Sequence, residues 1–344
     1  MTLPLQFVPE LPIPIVFHHS HAQLPELLAA NHRILPKLLS HHGALLFRGF
    51  SCEHIDLFSK AIAACQLGVR CDTRDYQIPR TQLAHDIYTS SDLPAPVMLP
   101  LHHEKPRSQH PPHHLYFCCI TPASIGGATL FADARTLWQE ITPAIQHKIK
   151  QHGVMYQQFL HGRSWRGALL ARLLDQTCVR YWTDYFQTEQ QSIIEQRLAQ
   201  EVSSWYWCHQ KTNLVLQNLL PGVRPHPISH ELLWFNSAAY LNYFHNLTYG
   251  TLKQLRSLQY LAAQYLMNHD MLPLICHYGN GQAFSFEEIV TINHLMEKHT
   301  WHCYWQRGDF MIVDNYTLMH GKEPHQGERL LYSCMTENRP HKPY

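Results

Sequence analysis

The chain has 344 residues, 45% of them hydrophobic and 11% aromatic, enough to bury a sizeable core in one large or two ordinary domains. Its net charge is +1 without a long basic run, which offers no footing for nucleic acid or a membrane surface. The ten cysteines contain no Cys-x-x-Cys, so neither a zinc ribbon nor a secreted disulfide framework is expected. The first residues, MTLPLQFVPELPIPIVF, carry Pro and Glu where a secretory signal needs an apolar centre. No apolar run approaches the ~18 residues that span a bilayer. A cytoplasmic protein is expected.

In chain order, Leu24 to Leu39 reads as an amphipathic helix stopping near Gly43, followed by a buried strand in GALLFRGF, Gly43 to Phe50. Ser51 opens a second helix running to about Ala64. Cys71 to Pro100 is polar and proline-punctuated, a long loop or short strands of the kind that carries substrate contacts. Leu115 to Ile120 and Ala128 to Asp133 read as strands, and Arg135 to Gln151 as a helix ended by Gly153. The middle, from about Trp165 to Gln217, mixes a helix at Gln191 to Glu201 with aromatic stretches such as Trp205-Tyr206-Trp207. A helix at Leu252 to Met267 follows, and Ser285 with Glu288 forms a capping box. FMIVD and LLYSCM are the last strands. No repeat or linker divides the chain, so a single domain over 1–344 is expected, with a partly helical insert at about 190–300. Strands at both ends with helices between them fit a mainly β, α+β architecture: a jelly-roll core wrapped by helices.

Histidine is unusually abundant, at 28 residues, so a single histidine argues little. With 26 acids, chance alone gives about two His-x-Asp/Glu matches. The chain has two, His54-Ile55-Asp56 and His102-His103-Glu104. The first falls in a helix, where i and i+2 diverge by about 200° and cannot chelate together. The second lies at the end of a strand, where i and i+2 share a face. With His320 near the C-terminus, His102 and Glu104 make up two imidazoles and one carboxylate, the donor set of a non-heme Fe(II) site with open positions. A 2-oxo acid bound there needs a counter-charge for its distal carboxylate, and Arg329 and Thr129 fit that need in type.

Five stretches carry a family resemblance: YTSSDLPAPVMLPLHHE, PASIGGATLFADAR, RPHPISHELLWFN, YGNGQAFSFEEI and GDFMIVDNYTLMHGKEPHQGER. Running in order from Tyr88 to Arg329, they resemble the taurine dioxygenase-like (TauD/TfdA, clavaminate synthase-like) Fe(II)/2-oxoglutarate oxygenases. The resemblance implies a double-stranded β-helix core. It makes His102, Glu104 and His320 the iron ligands, and gives the co-substrate's distal carboxylate to Thr129 and Arg329. It also implies Fe(II), 2-oxoglutarate and O₂ as cofactor and co-substrates, with succinate and CO₂ formed as a substrate C–H is attacked.

The chain departs from the family in places. His103 stands where relatives often have Asn, which leaves two registers; the strand argument favours His102 as ligand because His103 and Glu104 face opposite sides. Lys105-Pro106-Arg107 follows where small or aromatic residues are usual, and where some relatives carry a second arginine a few residues beyond the first, the next arginine here is Arg339. The retained Glu104 argues against halogenation. The substrate expected is a small, amino-acid-like molecule, free or presented on a carrier protein in specialised metabolism, with hydroxylation the leading outcome and desaturation or cyclisation the alternatives. Arg74, Arg80, His103, Arg107 and Asn236 are its candidate contacts. A catalytic zinc site and a silent jelly-roll binder compete. The first lacks a helical His-Glu-x-x-His, and the second should have lost a ligand or Arg329. Oligomeric state is left open.

Overall fold

The fold is taken from a computed structural model that describes residues 3–9, 11–17, 23–71, 79–174, 179–202, 204–209, 212–242, 257–268 and 271–337. The principal strands are, in chain order, β1 (Ile15–Phe17), β2 (Ala44–Arg48), β3 (Ile87–Thr89), β4 (Leu99–His102), β5 (His114–Thr121), β6 (Thr129–Asp133) and β7 (Val154–Leu160). They continue as β8 (Ser204–Cys208), β9 (Asn213–Leu220), β10 (Ile275–Tyr278), β11 (Trp301–Cys303), β12 (Phe310–Asp314), β13 (Leu318–Lys322) and β14 (Leu330–Glu337). Two compact units result: Met1–Glu140 with Arg224–Phe235 and His294–Tyr344, and Ile141–Val223 with Asn236–Asn293.

The first unit is a jelly roll. Among the described residues its larger sheet has nine strands, with β1, β2, β12, β5, β14 and β3 as successive neighbours. The smaller has four, in the order β11-β6-β13-β4. The central strands of the larger sheet, β2, β12 and β5, are buried on both faces, which is why they read as continuous apolar runs and not as alternating ones. Leu45, Phe47, Tyr116, Cys118, Phe310 and Ile312 pack under Leu28, Leu39, Phe58 and Ile62 of the helices. Their neighbours Leu46, Phe117, Cys119, Met311 and Val313 join Phe131 of β6 and Leu318 of β13 in a separate cluster. Burying one such side chain is worth about 1.5–3 kcal/mol. The cysteines among the described residues are thiols and not disulfides.

Three helix expectations are corrected. Leu24 to Leu39 is two helices, Leu24–Asn31 and Leu35–His42, because Pro36 cannot donate back to the preceding turn and instead sits in the first turn of a new helix. Pro143 divides Arg135 to Gln151 in the same way, into Ala134–Glu140 and Pro143–His152. Gly43 and Gly153 end their helices as expected, their N–H groups donating to Leu39 and Ile149 carbonyls at 2.7 and 2.8 Å. The helix expected from Ser51 runs Ile55–Cys65, since Ser51 has φ 52°, outside helical space. His54 is therefore its N-terminal cap, with Asp56 in the first turn.

In the second unit, an antiparallel sheet in the order β8-β9-β7-β10 stands where the sequence was hardest to read. Trp205-Tyr206-Trp207 is a strand, its register Tyr206 opposite Val215. The expected insert at about 190–300 thus overlaps a unit that begins earlier, at Ile141, and has a sheet at its centre. Gln191–Glu201 is helical, and the Ser285–Glu288 box is present: Glu288 N–H donates to Ser285 Oγ at 3.2 Å and Ser285 N–H to Glu288 Oε2 at 2.8 Å. The helix expected at Leu252 to Met267 begins outside the described residues; Ser257–Asn268 is helical.

Candidate metal centre

The smaller sheet of the first unit builds the site. β13 lies between β4 and β6, with His320 opposite His102 on one side and opposite Phe131 on the other. The two imidazole rings are 4.5 Å apart. Glu104 joins them, and one donor atom from each of His102, Glu104 and His320 lies within 4.8 Å of the others, all three residues buried. His102 points with Nδ1 at the Pro100 carbonyl, 2.8 Å away, which gives Nδ1 the proton and leaves the Nε2 lone pair for a cation. His103 is directed elsewhere, its ring 4.3 Å from that of Phe235.

Glu104 is not placed by strand geometry. β4 ends at His102 and Lys105 has φ 47°, so the chain is already turning. What fixes Glu104 is Asn315, just beyond β12 and wholly buried. Its Oδ1 accepts the Glu104 N–H at 2.8 Å, while Nδ2 donates to the carbonyls of Glu104 and Pro112 at 3.1 and 2.8 Å. Arg80 donates through Nη2 to the Glu104 carboxylate, and His320 Nε2 is 3.4 Å from the same oxygen. Burial pushes the Glu104 carboxyl up, but Arg80 and the His320 and His102 rings outweigh it and hold Glu104 well below the usual carboxylate range. Burial, with His320 adding to it, brings His102 down to about 4, and burial with the neighbouring rings brings His103 down to about 3. At neutral pH the site therefore offers an uncharged His102 and an ionised carboxylate, as a divalent ion requires.

Thr129 lies on the same face of the sheet, at the start of β6 and opposite Lys322. Arg329, just before β14, donates from Nε to the Gly127 carbonyl at 2.8 Å and from Nη2 to Thr129 Oγ1 at 3.2 Å. Gly127 permits this approach: its φ is +73°, and a Cβ there would sit 2.7 Å from the Ala123 Cβ and 3.2 Å from the Arg329 Cδ. Trp305 Nε1 also donates to Thr129 Oγ1, at 2.8 Å. With both lone pairs of that oxygen engaged, its own hydrogen is left to donate outward. Burial brings Arg329 down to about 10, so it stays charged at neutral pH.

The candidate substrate contacts divide. Arg80 is in the site, beside Glu104. His103 packs on Phe235, and Arg107 is half-buried in the turn after Glu104. Asn236 falls in the second unit with its amide engaged by backbone, Nδ2 to the Gly222 carbonyl at 2.7 Å and Oδ1 from the Ala238 N–H at 2.8 Å. Arg74 lies outside the described residues. Sequence reasoning passed over Trp305, Asn315 and Lys322; the last could have been found from its spacing of two from His320 on a strand.

A second buried group, His113, His226 and Asp314, also brings metal-ligating atoms together. Its hydrogen bonds suit a different task. His226 Nδ1 accepts the N–H groups of Ile228 and Ser229 at 3.1 and 3.0 Å, which leaves the proton on Nε2, 2.9 Å from Asp314 Oδ2. A cation on Nε2 would force that proton to Nδ1, against two donors. Asp314 Oδ1 in turn accepts the N–H groups of Tyr316 and Thr317, at 2.9 and 3.1 Å, fixing the turn into β13.

Fold and site together define a jelly-roll protein with a buried His-Glu-His group and an arginine–threonine pair on the same sheet. Comparison with known proteins gives the family. Residues 9–335 match the family described as "Taurine catabolism dioxygenase TauD, TfdA family", and the chain belongs to it: it is an Fe(II)- and 2-oxoglutarate-dependent dioxygenase. Similar proteins include the dapdiamide synthesis protein DdaC of Enterobacter agglomerans, 29% identical over 313 residues (90% of this chain and 86% of that protein). A clavaminate synthase-like protein of Arabidopsis thaliana is 21% identical over 342 residues, 94% of this chain and 93% of that one. Among solved structures, AAD-2 in complex with Mn(II) and N-oxalylglycine has a similar fold, with TM-score 0.55 and 13% identity over 99% of both chains. No helix among the described residues is long and apolar enough to cross a membrane.

Proposed function

We propose that this dioxygenase oxidises, by hydroxylation, an unactivated C–H bond of a small amino-acid-like substrate in specialised metabolism. The observation that carries the reading is the buried His102–Glu104–His320 group with Thr129 and Arg329 on the same sheet. In this reading the three residues hold Fe(II) on one side and leave the other open, while Arg329 and the outward Thr129 hydroxyl hold the distal carboxylate of 2-oxoglutarate. When bound, iron, 2-oxoglutarate and O₂ supply the oxidant that removes the substrate hydrogen, with succinate and CO₂ as by-products.

Arg80 supports an amino-acid-like substrate. One of its nitrogens meets Glu104, and its buried Nε and Nη1 have no partner among the described residues. Adjacent N–H groups beside the metal position suit a carboxylate of the substrate, free or on a carrier protein. The biosynthetic role in the name of the DdaC relative favours specialised metabolism. We read the chain as one cytoplasmic oxygenase domain in which the second unit is an insert.

Anaerobic addition of Fe(II) and 2-oxoglutarate tests the ligand set. A weak visible band at roughly 500 nm is expected, lost in His102→Ala and His320→Ala and kept in His103→Ala. Loss in His103→Ala but not in His102→Ala would reverse the register. Succinate formation in the presence of candidate amino acids then ranks substrates.

A further inference from the structure

The site contains a cation for which the proposed function has no use. Lys322 ends β13, two residues beyond His320, so its side chain leaves the sheet on the face that carries His320. It stands directly opposite Thr129 of β6, which puts the two Cβ atoms roughly 5 Å apart. Only 4% of Lys322 is exposed, yet its ammonium meets no carboxylate among the described residues; its hydrogen bond goes to the Pro94 carbonyl, at 3.3 Å. Arg329 beside Thr129 is in the same position, bonded to the Gly127 carbonyl and the Thr129 hydroxyl and to no acid among the described residues.

Two buried cations on one face, Arg329 at the Thr129 hydroxyl and Lys322 on the strand position opposite Thr129, repel each other and have lost hydration without gaining a counter-ion among the described residues. Such a group is an anion site: it becomes favourable when a carboxylate enters. The loop carbonyl that Lys322 meets is a neutral, exchangeable partner, whereas a carboxylate would satisfy Lys322, Arg329 and the Thr129 hydroxyl together.

We propose that Lys322 is a co-substrate-binding residue, which with Arg329 and Thr129 grips the distal carboxylate of the 2-oxo acid and selects for a dicarboxylate. The inference rests on the oxygenase reading above. It assigns two cations to a carboxylate for which that reading supplies one.

The test is calorimetric titration of the full-length, Mn(II)-loaded protein under anaerobic conditions with two probes, 2-oxoglutarate and 2-oxopentanoate, which lacks the distal carboxylate. Wild type is expected to prefer 2-oxoglutarate. Lys322→Met should weaken 2-oxoglutarate binding roughly tenfold to a hundredfold, the loss of one charged hydrogen bond, and change 2-oxopentanoate less than twofold. Lys322→Arg should keep most of the preference, and Mn(II) affinity should be unchanged in both variants. Unchanged 2-oxoglutarate affinity in Lys322→Met overturns the proposal, as does equal weakening of both acids. If Arg329→Gln abolishes the preference while Lys322→Met does not, the co-substrate site stands and the part of Lys322 in it falls. If wild-type protein takes up Mn(II) but binds neither acid, the oxygenase reading itself fails and the proposal with it.

Discussion

Asn315 holds Glu104 by both of its backbone groups, through N–H to Oδ1 at 2.8 Å and C=O to Nδ2 at 3.1 Å, although 211 residues separate them. The carboxylate thus depends on a side chain anchored at the end of β12, in the turn that leads into the strand of His320. Asn315→Ala should lower Mn(II) affinity by about ten- to a hundredfold, the range for losing a residue that orients a ligand. Stability should also fall, because three buried backbone groups, the N–H and C=O of Glu104 and the C=O of Pro112, lose their partner, by about 1–3 kcal/mol for each group left unsatisfied. Metal titration beside urea unfolding separates the two effects, and an Ala variant that binds Mn(II) like wild type would remove Asn315 from the account.

Trp305 sets the direction of the Thr129 hydroxyl by taking one of its lone pairs. Trp305→Phe keeps an aromatic ring and deletes the N–H. We expect 2-oxoglutarate to bind roughly five- to tenfold more weakly to the Mn(II) form, about one hydrogen bond's worth, with metal affinity intact. Calorimetry reads both values; an unaltered co-substrate affinity would show that Arg329 alone orients Thr129.

The tautomer of His226 predicts metal stoichiometry. Because its Nδ1 is committed to two backbone donors and its Nε2 proton faces Asp314, the cluster with His113 should take no divalent ion. One Mn(II) per chain is expected by metal analysis after dialysis, falling to none in His320→Ala. Two ions in wild type, with one surviving in His320→Ala, would contradict the hydrogen-bond argument.

Acid sensitivity should follow His114. Its ring is buried, with Nδ1 3.2 Å from the Leu67 carbonyl, and burial, with His113 adding to it, brings it down to about 3. In the unfolded chain a histidine titrates near 6.5, so as pH falls the unfolded state takes the proton first. The stability this group contributes is complete above about pH 6.5 and is lost progressively down to about pH 3, at up to about 1.4 kcal/mol per pH unit. Urea unfolding between pH 7 and 4 should show a shallower decline for His114→Gln than for wild type. Equal slopes would place the acid sensitivity elsewhere.

The jelly roll was legible because strands buried on both faces leave unbroken apolar runs, as in FMIVD and LYFCCI. Helix ends at Gly43 and Gly153 were equally plain. The breaks at Pro36 and Pro143 were readable in principle and were overridden by periodicity that continued through them. The sheet of the second unit was not legible: Trp205-Tyr206-Trp207 is exposed and half-buried in turn, so no apolar run marked it. At the site, spacing singled out His102 and Glu104, but the reason it offered covers only His102, which ends β4. Glu104 comes into place through Asn315, a long-range contact that no local pattern announces. Lys322 was hidden by its type, since a lysine near a loop ordinarily faces water.

The pairing of β13 between β4 and β6 has a metrical consequence. His320 and Lys322 are two residues apart on one strand, which sets their Cα atoms about 7 Å apart along the backbone. That interval is held by the continuous register with β6, where His320 faces Phe131 and Lys322 faces Thr129, while the pairing with β4 shifts register between the two residues, so the spacing is a backbone property and not one of side-chain torsions. If Lys322 grips the distal carboxylate as proposed, the strand is a ruler for the oxo acid, and a dicarboxylate one methylene shorter or longer should bind more weakly than 2-oxoglutarate.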